Sequence, residues 1–177
     1  MAKKYQWIGE GIEDMTLGTS YNTTTVKDVR GDTKVTNTKG DTTVSVTPVE
    51  FKPDSPFARF IDDAVEFGYE LSDLDRKFLF VKMYKRTGTD YETGTPVAWR
   101  QTASVSPGDF AIGNEALQVS GTMNLQGSRE HGTFDGMAFA EVDPPPSASS
   151  IFYKDGAAAR SDFRIYFEYD DAEFPVN

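Results

Sequence analysis

The spacing of apolar residues predicts one helix between segments of strand character. PFARFIDDAVEFG (56–68) has apolar residues at i, i+3, i+4, i+7 and i+8, which form one stripe on a helix. These residues are Phe57, Phe60, Ile61, Ala64 and Val65. Asp54 or Ser55 can cap the helix, Pro56 suits its first turn and Gly68 can end it. We therefore expect a helix that packs one face on a sheet and exposes its acids.

The segments after the helix predict strands. RKFLFVKMYKR (76–86) is apolar at both parities, as in a strand covered on both faces. Apolar and polar residues alternate in VAWRQTASVS (97–106), ALQVSGTMNLQ (116–126) and FRIYFEY (163–169). A less regular strand is expected around 133–142, and Pro107-Gly108-Asp109 predicts a turn.

Before the helix, residues 23–47 predict an extended hairpin. Its strands are TTTVKDV and TTVSVTP, and the turn-forming stretch GDTKVTNTKGD (31–41) separates them. Neither face of this hairpin is apolar, so the pairing register of its two strands is weakly specified. The strand pair would also be only marginally stable alone. Such a hairpin becomes sensible if another subunit covers it, which indicates an assembly part rather than a catalytic one.

We divide the chain into an N-terminal arm (1–20) and a single domain (21–177), with a mobile surface loop around 143–162. The arm has scattered apolar residues without a sustained period. It can pack on its own domain or reach a neighbouring subunit, and the sequence leaves both possibilities open.

Composition narrows the classes of function. The 177 residues include 28 acids and 18 bases, a net charge of −10, which argues against a nucleic-acid-binding face. There is no cysteine, so disulfides and thiolate chemistry are excluded. The N-terminus lacks the apolar core of a signal peptide and no apolar run is long enough to span a membrane. We expect a soluble protein made in the cytoplasm.

The residues give no positive sign of an enzyme, a metal or a cofactor. The one histidine, His131, lies in the glycine-flanked GSREHGTF and is expected in a solvated turn. Adjacent carboxylates such as Asp62 and Asp63 are typical of solvated charge, and Arg30-Gly31-Asp32 is explained by its turn. Nucleophile-elbow, P-loop and dinucleotide motifs are missing from the sequence.

The order of these segments resembles the major tail tube proteins of long-tailed, siphovirus-like bacteriophages. The resemblance runs from about Trp7 to Phe139. It rests on WIGEGIEDM, VKDVRGDTKVTNTKGDTTVSVTPVEF, DSPFARFIDDAVEFG, KFLFVKMYKR and RQTASVSPGDFAIGNEALQVSGTMNLQGSREHGTFD. It is a likeness of segment order and character rather than a diagnostic motif.

The resemblance implies a mainly β fold, a β-sandwich or small barrel with one flanking α-helix. It also implies a structural virion protein, assembled in the bacterial cytoplasm, whose hexameric rings stack into a hollow tube with other tail proteins. DNA passes through this tube without specific binding. Candidate hairpin residues at a subunit interface or the lumen are Val26, Asp28, Arg30, Asp32, Lys34, Lys39 and Asp41, and candidates for an inter-ring arm are Trp7, Ile8 and Ile12.

Two other functions compete with the tube. A monomeric β-sandwich binding module of a virion would bind carbohydrate or a surface through aromatics, with Trp99, Tyr91 and Tyr153 to test. A small hydrolase using Asp or Glu is disfavoured because no convergent carboxylates are evident. Under the tube hypothesis, deletion of residues 27–43 should leave a folded domain that no longer polymerises.

Overall fold

The computed structural model describes residues 3–9, 15–27, 29–50, 52, 54–112, 117–142, 151–153, 163–170 and 172–174. One α-helix, α1 (Pro56–Glu66), and one 3₁₀ turn (Leu71–Leu74) lie between the strands. The strands are β1 (Lys4–Trp7), β2 (Met15–Lys27), β3 (Thr33–Glu50), β4 (Asp75–Thr87), β5 (Thr95–Ile112), β6 (Leu117–Phe134), β7 (Phe139–Glu141), β8 (Ile151–Tyr153) and β9 (Phe163–Tyr169). The expected mainly β architecture with one flanking helix is confirmed.

All described strands belong to one antiparallel sheet. Its order is β1-β9-β4-β5-β6-β3-β2, with β7 on β6 and β8 on β4. Local hairpins join β4 to β5 and β5 to β6, whereas β9 returns to the far side of β4. Ile8 follows β1 and Val44 belongs to β3, yet both lie in the same buried cluster. The sheet therefore curves around one core.

The helix forms where the sequence predicts it. The Ser55 hydroxyl accepts a hydrogen bond from the Ala58 N–H at 3.3 Å, Pro56 occupies the first turn, and Gly68 follows with φ +63°. Phe57, Phe60 and Ile61 are buried against the sheet. Val65, assigned to the same stripe, is instead 49% exposed, because the stripe turns away from the sheet at the last turn.

The central strand β4 is buried on both faces, as its sequence predicts. Phe78 and Phe80 face the helix, and Leu79 and Val81 belong to a smaller cluster on the other face. Phe167 of β9 lies 5.6 Å from both Phe57 and Phe78 between ring centroids. This aromatic contact joins the helix, the central strand and the last strand in one core.

Three segments that were predicted as turns or loops lie in strands instead. Pro107-Gly108-Asp109 lies within β5, and a Cβ at Gly108 would come within 2.5 Å of the Ser120 hydroxyl, so this glycine permits close strand approach rather than a turn. Most of 31–41 belongs to β3. His131 lies within β6, not in a turn.

The predicted loop at 143–162 contains the short strand β8. Residues 143–150 and 154–162 lie outside the described residues.

Candidate assembly surfaces

A two-stranded ribbon projects from the sheet. β2 and β3 stay paired from Met15↔Val46 to Lys27↔Thr33, but β3 pairs with β6 only from Thr42 onwards in the described part of the chain. The remaining nine residues of β3, Thr33–Asp41, extend about 30 Å at ordinary strand rise. Every residue described between 19 and 39 is exposed. The ribbon therefore has backbone pairing without a core of its own.

Local chemistry explains how the ribbon forms. Threonines and valines favour extended backbone, and Gly31, with φ +84°, allows the turn at the tip. The register shifts at Ser20, whose hydroxyl donates to the Asp41 carbonyl at 2.9 Å. A Cβ at Gly40 would lie 2.5 Å from the Ser20 Oγ and 3.3 Å from the Ser20 carbonyl, so glycine allows the two strands to approach closely here. The ribbon thus begins at a bulge, where the chain leaves the body of the sheet.

The predicted hairpin residues are distributed over both faces of the ribbon. Val26 and Lys34 are cross-strand neighbours, whereas Lys39 pairs with Tyr21 on the opposite face. Arg30, Asp32 and Asp41 are exposed, and Asp28 lies outside the described residues. Two side chains that were not predicted also lie on the Lys39 face. Tyr21 is 63% exposed and Val35 is 57% exposed. Each has polar neighbours in sequence, Ser20 and Asn22 or Lys34 and Thr36, so neither lies in an apolar run.

The described part of the arm lies on its own domain. β1 pairs with β9, and the Gln6 side chain accepts from the Phe57 N–H at 3.0 Å at the start of α1. Ile8 is 4% exposed within the core, while Trp7 is 40% exposed, with the Arg164 guanidinium 5.1 Å from its ring. Ile12 lies outside the described residues. Of the two described arm candidates, Trp7 is the one with exposed surface to offer a neighbour.

An ion-pair network that was not predicted from the sequence crosses the sheet face opposite the helix. Arg100 Nε donates to Glu130 at 2.6 Å and Arg100 Nη1 to Glu168 at 3.3 Å, while Lys77 donates to Glu130 at 3.2 Å. Burial works against ionisation of Glu130, but the Arg100 and Lys77 hydrogen bonds outweigh it and lower the pKa of Glu130. Burial and the Glu168 charge raise the pKa of Tyr5 to about 12. With both carboxylates paired to Arg100, this arrangement suits structure better than acid–base catalysis.

The three aromatic candidates for a sugar-binding platform differ in how exposed their side chains are. Trp99 is 5% exposed and stacks on Phe80 with centroids 4.9 Å apart, as its inward parity predicts. The Tyr91 hydroxyl donates to the Met83 carbonyl at 3.0 Å, and Tyr153 is 63% exposed. Only Tyr153 of the three offers most of its ring to solvent.

The described residues contain no arrangement typical of a metal site or of a membrane-spanning helix. His131 is exposed, and its carbonyl accepts from the Val142 N–H at 2.9 Å. Over the ranges described above, no group of three or more His, Asp or Glu side chains is placed to hold a metal ion. Within the same ranges, no helix has the length and apolar character needed to span a membrane.

Comparison with known proteins finds similarity to solved structures alone. No protein-family model matches the chain, and no curated protein matches it. One similar structure is the sheath–tube complex of an extracellular contractile injection system, PVC, in the extended state. It has 14% identity and a TM-score of 0.42, with 75% of this chain and 89% of that chain covered. The second is the sheath/tube terminator of the same system, with 13% identity, a TM-score of 0.43, and 73% and 92% coverage. Similarity at this level does not assign the chain to a family.

Proposed function

We propose that this chain is a structural subunit that assembles with its own copies into rings, which stack into a hollow tail tube for DNA delivery. The observation on which this rests most is the exposed ribbon of β2 and β3. Six subunits per ring, and passage of DNA without specific binding, follow from the resemblance of the sequence to siphovirus-like tail tube proteins. On this proposal the protein acts through its shape and has no catalytic site.

The ribbon needs a partner for energetic reasons. A two-stranded hairpin without a buried face is marginally stable in water, yet this one extends about 30 Å from the sheet. Its Tyr21 and Val35 side chains are more than half exposed. Contact with another copy would bury these side chains and fix a register that the polar faces specify weakly.

The open ends of the sheet also support self-assembly. Among the described strands, β1 and β2 are the two ends of the pairing path, so each presents one strand edge there. Exposed edges are sites of uncontrolled pairing, and closed oligomers remove them by pairing edge to edge. A net charge of −10 would keep DNA from adhering to such an assembly where enough acids face its lumen.

Removal of the ribbon tests the proposal. The 27–43 deletion suggested by sequence is unsuitable, since it would also remove Thr42 and Thr43, which pair with β6. A better variant removes residues 23–37 and joins the Asn22↔Thr38 pair with Asn-Gly, a two-residue turn. We expect a folded monomer by circular dichroism and no rings or tubes by electron microscopy across a concentration series.

The matched control retains the ribbon and replaces Thr24 and Thr36, which face each other across it, with serine. This control should assemble as the wild type does. Normal tubes from the shortened variant would refute the role of the ribbon. A wild-type protein that stays monomeric and binds a glycan saturably would favour the binding-module alternative.

A further inference from the structure

A cationic patch lies beside Trp99 at one end of the sheet. The Lys82 ammonium is 5.2 Å and the Arg129 guanidinium 5.0 Å from the Trp99 ring centroid. Lys85 lies next to them, 5.5 Å from the exposed ring of Tyr153. We call Lys82, Lys85 and Arg129, with these two rings, the cationic patch.

The patch has no counter-ion within the described chain. Among the described residues, none of its three cations forms an ion pair, although Arg129 Nε donates to the Gln101 amide oxygen at 3.3 Å. Burial, followed by the charges of Lys85 and Arg129, lowers the pKa of Lys82. The buried Trp99 Nε1–H also lacks an acceptor there. A carboxylate docked on the patch would supply the missing charge to its lysine and arginine side chains.

A surface of opposite charge lies at the other end of the molecule. Between Ile61 and Asp75 the sequence has six carboxylates and no lysine or arginine. Glu66, Glu70 and Asp73 are exposed there. They lie among exposed apolar side chains, Val65 at 49%, Phe67 at 66% and Leu71 at 85%. We call residues 65–73 the acidic knob.

The backbone of the knob is unusual at Leu71. Its φ is +52°, a left-handed conformation that a branched side chain adopts at a steric cost. Such conformations concentrate at functional positions. Here the cost places a leucine side chain in solvent, next to Glu70, where it would be buried if a partner covered the knob.

The knob and the patch cannot meet within one copy. The knob leads directly into Asp75 at the start of β4, whereas Lys82 and Lys85 lie seven and ten residues further along the same strand. At ordinary strand rise this separates them by about 20–35 Å. Two copies stacked head to tail along the strand direction would bring the knob of one to the patch of the next.

We propose that the acidic knob of one copy docks on the cationic patch of another, so that Glu66, Glu70 and Asp73 meet Lys82, Lys85 and Arg129. The inference rests on the proposed self-assembly and names a contact that directs it. Because the two surfaces differ, the contact is heterologous and can repeat from copy to copy. By sequence, residues 154–162 between β8 and β9 have two acids and two bases and are less complementary in charge to the patch.

Zero-length carbodiimide cross-linking of the full chain tests the contact directly. Equal amounts of unlabelled and ¹⁵N-labelled protein are mixed under assembling conditions, so mass spectrometry separates links between copies from links within one. We expect mixed-isotope links from Lys82 or Lys85 to Glu66, Glu70 or Asp73. Links within one copy to Asp155 or Asp162 instead would overturn the proposal, because the chain would then cover its own patch.

Charge reversal provides a second test. We expect Lys82→Glu with Lys85→Glu, and separately Glu66→Lys with Glu70→Lys, to raise the critical concentration for assembly at least about tenfold. A mixture of the two variants should restore assembly, since their reversed surfaces complement each other. If Lys82→Glu fails to fold by circular dichroism, Lys85→Glu alone replaces it, and Glu141→Lys, on exposed β7, is the control.

The outcomes separate this inference from the proposed function. Wild-type tubes that persist in both reversed variants, without knob-to-patch links, would overturn the inference and leave the tube proposal intact. Wild-type protein that never assembles would overturn both. Rescue by mixing, together with links between isotopes, would establish the contact.

Discussion

At the scale of single residues, burial separates positions that the sequence pattern treats alike. Phe60 and Val65 belong to one predicted helical stripe, yet Phe60 is fully buried and Val65 half exposed. The period of a helix fixes which side chains share a face, but the extent of the surface that covers that face depends on distant strands. The sequence could therefore predict Phe60 as core, whereas the exposure of Val65 required the sheet.

This difference predicts the effect of a charge in the core. Phe60→Asp places a carboxylate against Phe167, whose ring centroid lies 5.9 Å from that of Phe60. We expect a loss of about 3–5 kcal/mol or complete unfolding, measured by urea denaturation. Val65→Asp on the same helix is the matched control and should cost less than about 1 kcal/mol. Equal losses from the two variants would contradict the burial of α1.

The ion-pair network predicts a pH-dependent contribution from Glu130. Its pKa is lowered below the ordinary 4.5, so its carboxylate stabilises the fold above that value, and the contribution is lost as the pH falls through its folded pKa. Glu130→Gln should therefore lower stability by about 1 kcal/mol or less at pH 7, and the difference should shrink as the pH is lowered to 3. Thermal melts at both pH values measure this, with Glu141→Gln as the exposed control. A difference that grows in acid would have the wrong sign.

At the scale of elements, features that depend on residues close in sequence could be predicted. Features that depend on contact with another strand could not. The helix ends depend on Ser55, Pro56 and Gly68, all close in sequence, and they were predicted correctly. Gly108 looks like a turn residue because its neighbours are Pro107 and Asp109. Its actual cause, the close approach of Ser120, lies on another strand. The extension of β2 back to Met15 was missed for the same reason, since its pairing with Val46 compensates for an irregular pattern.

Gly108 therefore predicts a steric effect. In Gly108→Ala the new methyl group would lie 2.5 Å from the Ser120 hydroxyl and 3.2 Å from the Ser120 backbone. We expect a loss of about 1–3 kcal/mol in urea denaturation, as for overpacking elsewhere. Addition of Ser120→Ala should recover part of the loss. Gly18→Ala, where the nearest atom is at an ordinary 3.5 Å, is the control, and an equal loss there would contradict this account.

At the scale of the whole molecule, the body and the ribbon differ in what stabilises them. The body has a continuous aromatic core around α1, while the ribbon has backbone pairing and exposed side-chain contacts but no buried core. The lack of a buried face on the ribbon could be predicted from its polar residues. The cationic patch and the acidic knob could not be predicted as a pair of surfaces from the sequence. Lys82 and Arg129 become neighbours of Trp99 only through strand pairing.

The contrast between body and ribbon predicts a pattern of amide hydrogen exchange. In the monomer, amides of residues 23–37 should exchange orders of magnitude faster than those of Phe78 to Val81 in the central strand, since local opening of the ribbon exposes no core. Assembly should slow exchange in the ribbon and leave the central strand unchanged. Ribbon amides that exchange equally fast in both states would show that no neighbour covers them.

The pairing of β9 between β1 and β4 also has a consequence for the order of folding during synthesis. Lys4 pairs with Tyr169, and Phe78 with Phe167, so β1 lacks its partner, and β4 lacks the second of its two neighbours, until β9 has been translated. Contacts so distant in sequence slow folding, and the ribosome would release most of the chain before the aromatic core could close. Helix α1 would meanwhile lack its Phe167 contact. A nascent chain could therefore not assemble with other copies until β9 had been synthesised.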